Sequence, residues 1–84
     1  MKYKTIRKCE FTDRQTNGLI IIGCALVKTE SGRYATFHYD RAEGSEDMSE
    51  HWWNFPDDWE GALNEYTAMR ERLIEALDMA AERG

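Results

Sequence analysis

The side chains best suited to metal chemistry are two cysteines and two histidines spread along the chain. Cys9, Cys24, His38 and His51 are separated by 14, 13 and 12 residues. Zinc sites in small domains use closely spaced ligand pairs such as C-x2-C or H-x3-H, which this spacing lacks. We therefore expect no metal and no other cofactor, and we interpret the cysteines as reduced, buried thiols.

The sequence also lacks the arrangements that activate a nucleophile or hold a phosphate group. Asp57 and Asp58 form an adjacent carboxylate pair, but capping of a helix accounts for Asp57. There is no G-x-S-x-G turn, and Gly18, Gly23 and Gly32 are too dispersed for a phosphate-binding loop. The sequence therefore predicts a protein that is not an enzyme.

A tryptophan-rich segment, His51–Trp59, holds all three tryptophans and the only proline. We expect Trp59 at the edge of the core. Trp52 and Trp53 are adjacent and cannot easily both point inward, so one should seal the core and the other should be available to a partner, as exposed tryptophans often are. The residues predicted to bind a partner here are Glu46, Asp47, Glu50, Trp52, Trp53 and Asp58.

An acidic stripe follows on the C-terminal helix. Glu71 and Glu75 repel each other across one helical turn, and acids in the last turns oppose the helix dipole. The stripe is either a solvated face that keeps a small protein soluble or a docking surface for a basic partner. The docking interpretation assigns to the contact surface Glu60, Glu71, Glu75 and Asp78.

Three strands are predicted before these segments, at Tyr3–Phe11, Leu19–Lys28 and Arg33–Asp40, because apolar residues alternate there. Turns at Asn17-Gly18 and Ser31-Gly32 join them into a meander. Two-residue turns place Phe11 opposite Cys24 and Leu26 opposite Phe37, and cross-strand partners share a face. The predicted inner face then comprises Tyr3, Cys9, Phe11, Ile20, Ile22, Cys24, Leu26, Ala35, Phe37 and Tyr39.

The predicted outer face is unusually apolar for a surface that meets water. Either residues 41–56 fold over it or another chain covers it. The face comprises Ile6, Lys8, Leu19, Ile21, Ala25, Val27, Tyr34, Thr36 and His38.

Residues 41–56 are interpreted as an acidic, tryptophan-bearing connector, and residues 57–83 as one helix. Asp57 followed by Glu60 matches a capping box. An apolar stripe on the helix should pack against the inner sheet face, and it comprises Ala62, Tyr66, Met69, Leu73, Ala76, Leu77 and Ala80. The predicted fold is a single α+β domain over residues 1–84, a three-stranded antiparallel meander packed on one C-terminal helix.

Charge is divided unevenly between the two halves of the 84-residue chain. Residues 1–41 have eight basic and four acidic side chains, whereas residues 42–84 have three basic and twelve acidic ones, and the net charge is −5. Phosphate would repel such a chain, so a basic protein is the more natural partner. No apolar run approaches the roughly 20 residues of a membrane helix, and no signal segment is recognisable, so we expect a cytoplasmic protein without a membrane partner.

The leading interpretation is a small inhibitor or adaptor that blocks a basic partner, including one that itself binds nucleic acid. In size, charge and sheet-plus-helix build the chain is similar to the small acidic proteins that phages encode against host defences, anti-CRISPR proteins among them. The alternative is an assembly protein that homodimerises through the outer sheet face. A third interpretation, disfavoured by the net charge, is direct nucleic-acid binding through Lys2, Lys4, Arg7, Lys8 and Arg14.

Overall fold

The computed structural model describes residues 2–13 and 16–83, with side chains as far as Asp78. These residues form one four-stranded antiparallel sheet and one helix, and the strands lie in chain order across the sheet. The α+β class and the C-terminal helix are confirmed, but the prediction of three strands was wrong. The elements are β1 Tyr3–Thr12, β2 Ile20–Thr29, β3 Tyr34–Ala42, β4 Met48–Asn54 and α1 Trp59–Arg83.

The fourth strand lies within the segment predicted to be a connector. A turn at Gly44, with φ 82°, reverses the chain after β3, and the Ser45 N–H donates to the Ala42 carbonyl over 3.1 Å. β4 then pairs with β3 along the edge of the sheet. Its first residues are mostly polar because an edge strand is largely open to water, so apolar alternation did not reveal it.

From Arg7 onward, the β1–β2 hairpin keeps its predicted faces although its register differs. The Asn17-Gly18 turn is present, with φ of 56° and 79°. Thr16 folds back so that its hydroxyl donates to the Asp13 carbonyl over 2.8 Å, which lengthens the connection. Phe11 consequently opposes Ile22, two residues from its predicted partner. A shift by two residues leaves the same side chains on the same face.

The β2–β3 hairpin differs from the prediction by one residue, and this reverses the faces of β3. The loop has three residues, 30–32, closed by a hydrogen bond of 2.8 Å from the Thr29 N–H to the Arg33 carbonyl, and Gly32 has φ 84°. Leu26 therefore opposes Thr36. The predicted inner face was wrong for Ala35, Phe37 and Tyr39, which lie on the side away from the helix.

The sheet has a buried layer on each side. On the helix side the buried residues are Cys24, Leu26, Ala62, Tyr66 and Met69. On the opposite side they are Ala25, Val27, Ala35, Phe37 and Tyr39, and the side chains packed over them are Tyr3, Met48 and Trp53. A bulge between Thr5 and Arg7 brings Tyr3 to that side, so the predicted inner face was also wrong for Tyr3. The predicted outer face is thus divided, since its residues Ala25 and Val27 lie in this second layer whereas Thr36 and His38 lie on the helix side.

The N-cap of the helix lies one residue after the predicted cap, Asp57, and the helix begins at Trp59. The Gly61 N–H donates to Asp58 Oδ1 over 2.7 Å, so Asp58, and not Asp57, is the N-cap. The apolar stripe is buried at Ala62, Tyr66 and Met69. Beyond Met69 burial falls: the predicted core residues Leu73 and Leu77 are half-buried, Ala76 is exposed, and Ala80 lies outside the described side chains.

Candidate protein-binding site

A β-bulge in the edge strand β4 determines where the two adjacent tryptophans point. Thr36 opposes Asn54 and His38 opposes His51, so both Trp52 and Trp53 stand against the single residue Phe37. Trp52 has φ 55°, the left-handed conformation that bulges of this kind usually reserve for glycine. The extra residue lets the two indoles go to opposite sides of the sheet.

Trp53 is the tryptophan that packs against the core. Its ring lies 4.4 Å from that of Phe37, centroid to centroid, and 6.0 Å from those of Tyr3 and Phe55. Phe37 is completely buried beneath this aromatic layer. The position of Trp53 is therefore explained by packing on the sheet face away from the helix.

Trp52 is the tryptophan that is exposed to solvent. Its side chain is 75% exposed. On the helix side of the sheet its ring lies 5.3 Å from that of His38 and 6.2 Å from that of His51. The Asn54 amide donates to the Trp52 carbonyl over 3.3 Å, which ties the bulge to the end of β4.

Trp52 forms one wall of a groove between β4 and α1. The groove has a volume of about 380 Å³, within the range of small ligand-binding clefts. Met69, which is almost fully buried, supplies an apolar surface inside it. The lining residues are His38, Trp52, Asn54, Glu65, Met69 and Arg72.

Two opposite charges line the groove from the helix. Arg72 Nη2 lies 3.7 Å from Glu65 Oε1, with side chains 65% and 37% exposed, and the Arg72 Nε–H donates to the Ala68 carbonyl over 3.3 Å. Burial and the nearby Arg72 lower the pKa of His38, while Glu65 partly opposes that shift. His38 is therefore neutral at neutral pH. The groove combines an aromatic wall with a weakly paired carboxylate.

The acidic residues predicted to bind a partner lie in several places. Glu71, Glu75 and Asp78 are exposed, and helical geometry of about 100° per residue places them on the side of α1 away from the sheet, as it does Glu60. Glu46 and Asp47 are exposed between β3 and β4. Two further carboxylates already have partners within the fold: Glu50 accepts a hydrogen bond of 3.0 Å from the Tyr3 hydroxyl, and Asp58 caps the helix.

The sequence did not predict the residues that complete the groove around Trp52. Glu65 and Arg72 are seven apart, two helical turns, on the flank between the apolar and acidic stripes, so a helical projection gives a signal for them. Nothing comparable indicated that Asn54 and His38 would adjoin Trp52. That arrangement depends on the pairing of β4 with β3.

A second polar cluster, on the face away from the helix, is explained by the fold. Glu10 accepts hydrogen bonds from the Tyr39 hydroxyl over 2.7 Å and from Arg41 Nε and Nη2 over 2.8 and 3.1 Å. The Arg41 contact lowers the pKa of Glu10 to about 2. Tyr39 reaches Glu10 by passing over Gly23, where a Cβ atom would stand 2.5 Å from the Cys9 carbonyl oxygen and 2.7 Å from the Tyr39 ring. These contacts tie β1 to β3 across β2.

The described residues contain neither a cluster of potential metal ligands nor a helix that could span a membrane. Among the residues the structure describes, no three His, Cys, Asp or Glu side chains are grouped so as to hold a metal ion. In that part of the chain, the helix is not apolar enough over a sufficient length to cross a bilayer. Cys9 and Cys24 stand opposite each other on neighbouring strands as free thiols, and burial raises the pKa of Cys24 to about 11.

No family model, curated protein or solved structure matches the chain.

Proposed function

We propose that this protein is a non-enzymatic binding module that docks a basic protein through the groove at Trp52 and the acidic outer side of α1. It would act by occupancy, as an inhibitor or adaptor. The observation that carries the proposal is a tryptophan that is 75% exposed and held with φ 55° at the rim of a groove.

Stability alone does not account for a tryptophan at this position. The left-handed conformation costs a side chain other than glycine roughly 1–2 kcal/mol. Most of the indole surface faces water, so burial of the remainder does no more than offset that cost and leaves no net gain in stability. Large, rigid aromatic side chains often contribute much of the binding energy of protein interfaces, so a binding role accounts for Trp52 at this position.

The charge of the helix supports a basic partner. Glu71 and Glu75 are both exposed, and Glu75 lies one turn beyond the groove residue Arg72. Like charges one turn apart destabilise a helix slightly, whereas they attract and orient a basic surface. If the partner binds nucleic acid, this stripe imitates a row of phosphates. Such competition would give the protein the character of a phage anti-defence protein, anti-CRISPR proteins among them.

A random peptide library displayed on phage tests the proposal without knowledge of the partner. Selection on the wild-type protein at low salt should enrich peptides rich in Arg and Lys. Their binding should weaken steeply as salt rises, and it should be lost with Trp52→Ala and reduced with the double charge reversal Glu71→Lys/Glu75→Lys. The matched control is Leu19→Ala, because Leu19 is 66% exposed beside the β1–β2 turn and does not line the groove. Ligands that bind the Trp52→Ala variant equally well, or whose affinity is flat with salt, would refute the proposal.

Light scattering of the same preparation tests the alternative function, assembly through the outer sheet face. The binding module is expected at the monomer mass of 9.8 kDa. A mass twice that value at micromolar concentration would favour the assembly interpretation.

A further inference from the structure

We propose that the groove at Trp52 is a subsite for an arginine side chain of the partner, and that the protein's own Arg72 pairs with the carboxylate of this subsite in the free state. The inference rests on the proposed binding function and names the chemistry of one contact. An arginine offers a planar guanidinium that stacks on an aromatic face and pairs with a carboxylate at the same time.

Both halves of such a contact are present on opposite walls of the groove. The exposed indole of Trp52 belongs to β4, and the Glu65 carboxylate belongs to α1. Met69 also lines the groove, and an apolar surface of this kind accommodates the methylene stem of an arginine. The volume of about 380 Å³ leaves room for one long side chain.

The intramolecular pair shows which chemistry the carboxylate attracts. Arg72 Nη2 stands 3.7 Å from Glu65 Oε1, and the Arg72 side chain is 65% exposed. A long, solvent-exposed ion pair contributes well under about 1 kcal/mol, so Arg72 can move into water at little cost. An arriving guanidinium competes with Arg72 for the same oxygen and gains the face of Trp52 as well.

The charges around the groove favour a cation over an anion. His38 has a lowered pKa and is neutral at neutral pH, so it does not repel a guanidinium. Glu71 and Glu75 are exposed on the turns beside Arg72 and add negative potential. A carboxylate ligand would instead have to separate Arg72 from Glu65 and approach those acids.

A minimal peptide distinguishes an arginine subsite from a carboxylate subsite. The probe is acetyl-Gly-Arg-Gly-amide, compared with the same peptide containing neutral citrulline. Binding is followed by the indole N–H resonance of Trp52 in nitrogen-15 NMR spectra, assigned by its loss in Trp52→Phe. Titrations use the wild type, Glu65→Gln, Arg72→Gln and, as a matched charge-removal control outside the groove, Glu30→Gln.

The two groove variants should change the affinity in opposite directions. The arginine peptide should shift the Trp52 resonance saturably, and citrulline should not. Loss of the ion pair and part of the stacking in Glu65→Gln should weaken binding by about fivefold, or about 1 kcal/mol. Removal of the weakly paired competitor Arg72 should tighten binding by about twofold, or about 0.4 kcal/mol. Glu30→Gln should bind as the wild type does. A gain of affinity in Arg72→Gln cannot come from a misfolded protein.

The inference is overturned if citrulline shifts the resonance equally or if Glu65→Gln binds no more weakly than the wild type. It is also overturned if Arg72→Gln weakens binding, since that outcome indicates a carboxylate ligand. If these results occur while library peptides still require Trp52, the arginine subsite is wrong and the binding function stands. If library peptides ignore Trp52, the binding function itself is wrong.

Discussion

Replacing Trp52 by glycine and by alanine should reverse the usual order of stability of these two residues in a strand. Glycine in a strand is normally about 0.5–1 kcal/mol less stable than alanine, because it loses more backbone freedom on folding. At φ 55° alanine meets the steric cost of the left-handed region, roughly 1–2 kcal/mol, which glycine avoids. We therefore expect the glycine variant to be the more stable by about 1 kcal/mol.

The same reasoning sets the stability of the glycine variant relative to the wild type. About a quarter of the Trp52 side chain is shielded from water. That fraction of an indole is roughly 60 Å², which corresponds to about 1.5 kcal/mol of burial lost, and relief of the backbone cost offsets most of it. The glycine variant should unfold within about 1 kcal/mol of the wild type, although it should not bind.

Urea denaturation followed by circular dichroism measures both differences. A change of 1 kcal/mol moves the midpoint by about 0.5 M for a small domain. Ser49→Gly and Ser49→Ala provide the control pair, because Ser49 is exposed in the same strand and does not have a positive φ. There alanine should be the more stable. If alanine is also the more stable at position 52, the left-handed bulge is wrong, and so is the claim that Trp52 is retained for binding.

Three further substitutions test the fold. Glu10→Gln should cost about 2 kcal/mol of unfolding free energy at pH 7. The pKa of Glu10 is about 2 in the folded protein, against an ordinary value of 4.5. The ionised carboxylate should therefore contribute its full stabilisation to the wild type above pH 4.5, and this contribution should disappear as the pH falls towards 2. The difference in unfolding free energy between the wild type and Glu10→Gln should therefore narrow from pH 4.5 to pH 2, as measured by urea denaturation at each pH. A constant difference would refute the ion pair. Gly23→Ala should destabilise the protein by about 3 kcal/mol or more, because the alanine Cβ would meet the Cys9 carbonyl oxygen. A soluble variant with the wild-type urea midpoint would contradict the close approach of Gly23 to Cys9. Thr36→Val should stabilise the protein by about 1 kcal/mol, because the buried hydroxyl has no hydrogen-bond partner among the described residues; a lower urea midpoint would show that it is hydrogen-bonded.

The residues that the sequence placed well are those governed by local periodicity and turn chemistry. The helix stripe at Ala62, Tyr66 and Met69 repeats at helical spacing and is buried, and Asn17-Gly18 adopts the positive φ angles that its residues favour. Both follow from interactions within a few residues of the chain. The α+β class could therefore be predicted.

The residues that were predicted on the wrong face depend on how distant segments pair, where a difference of one residue in loop length or register changes the face. The Ser31-Gly32 turn fits a two-residue and a three-residue loop equally well, yet the longer loop moves Phe37 to the opposite face. The bulge in β4 likewise depends on pairing with β3. The groove exists because that bulge separates Trp52 from Trp53, which no local pattern indicates.

The most direct test of the binding function is isothermal titration of the strongest library-selected peptide into three proteins. Wild type and Leu19→Ala should bind within about twofold of each other, and Trp52→Gly should bind at least tenfold more weakly, a loss of about 1.4 kcal/mol or more. The near-native stability expected of Trp52→Gly ensures that a folded protein is measured. Equal affinity of all three proteins would contradict a binding site at Trp52.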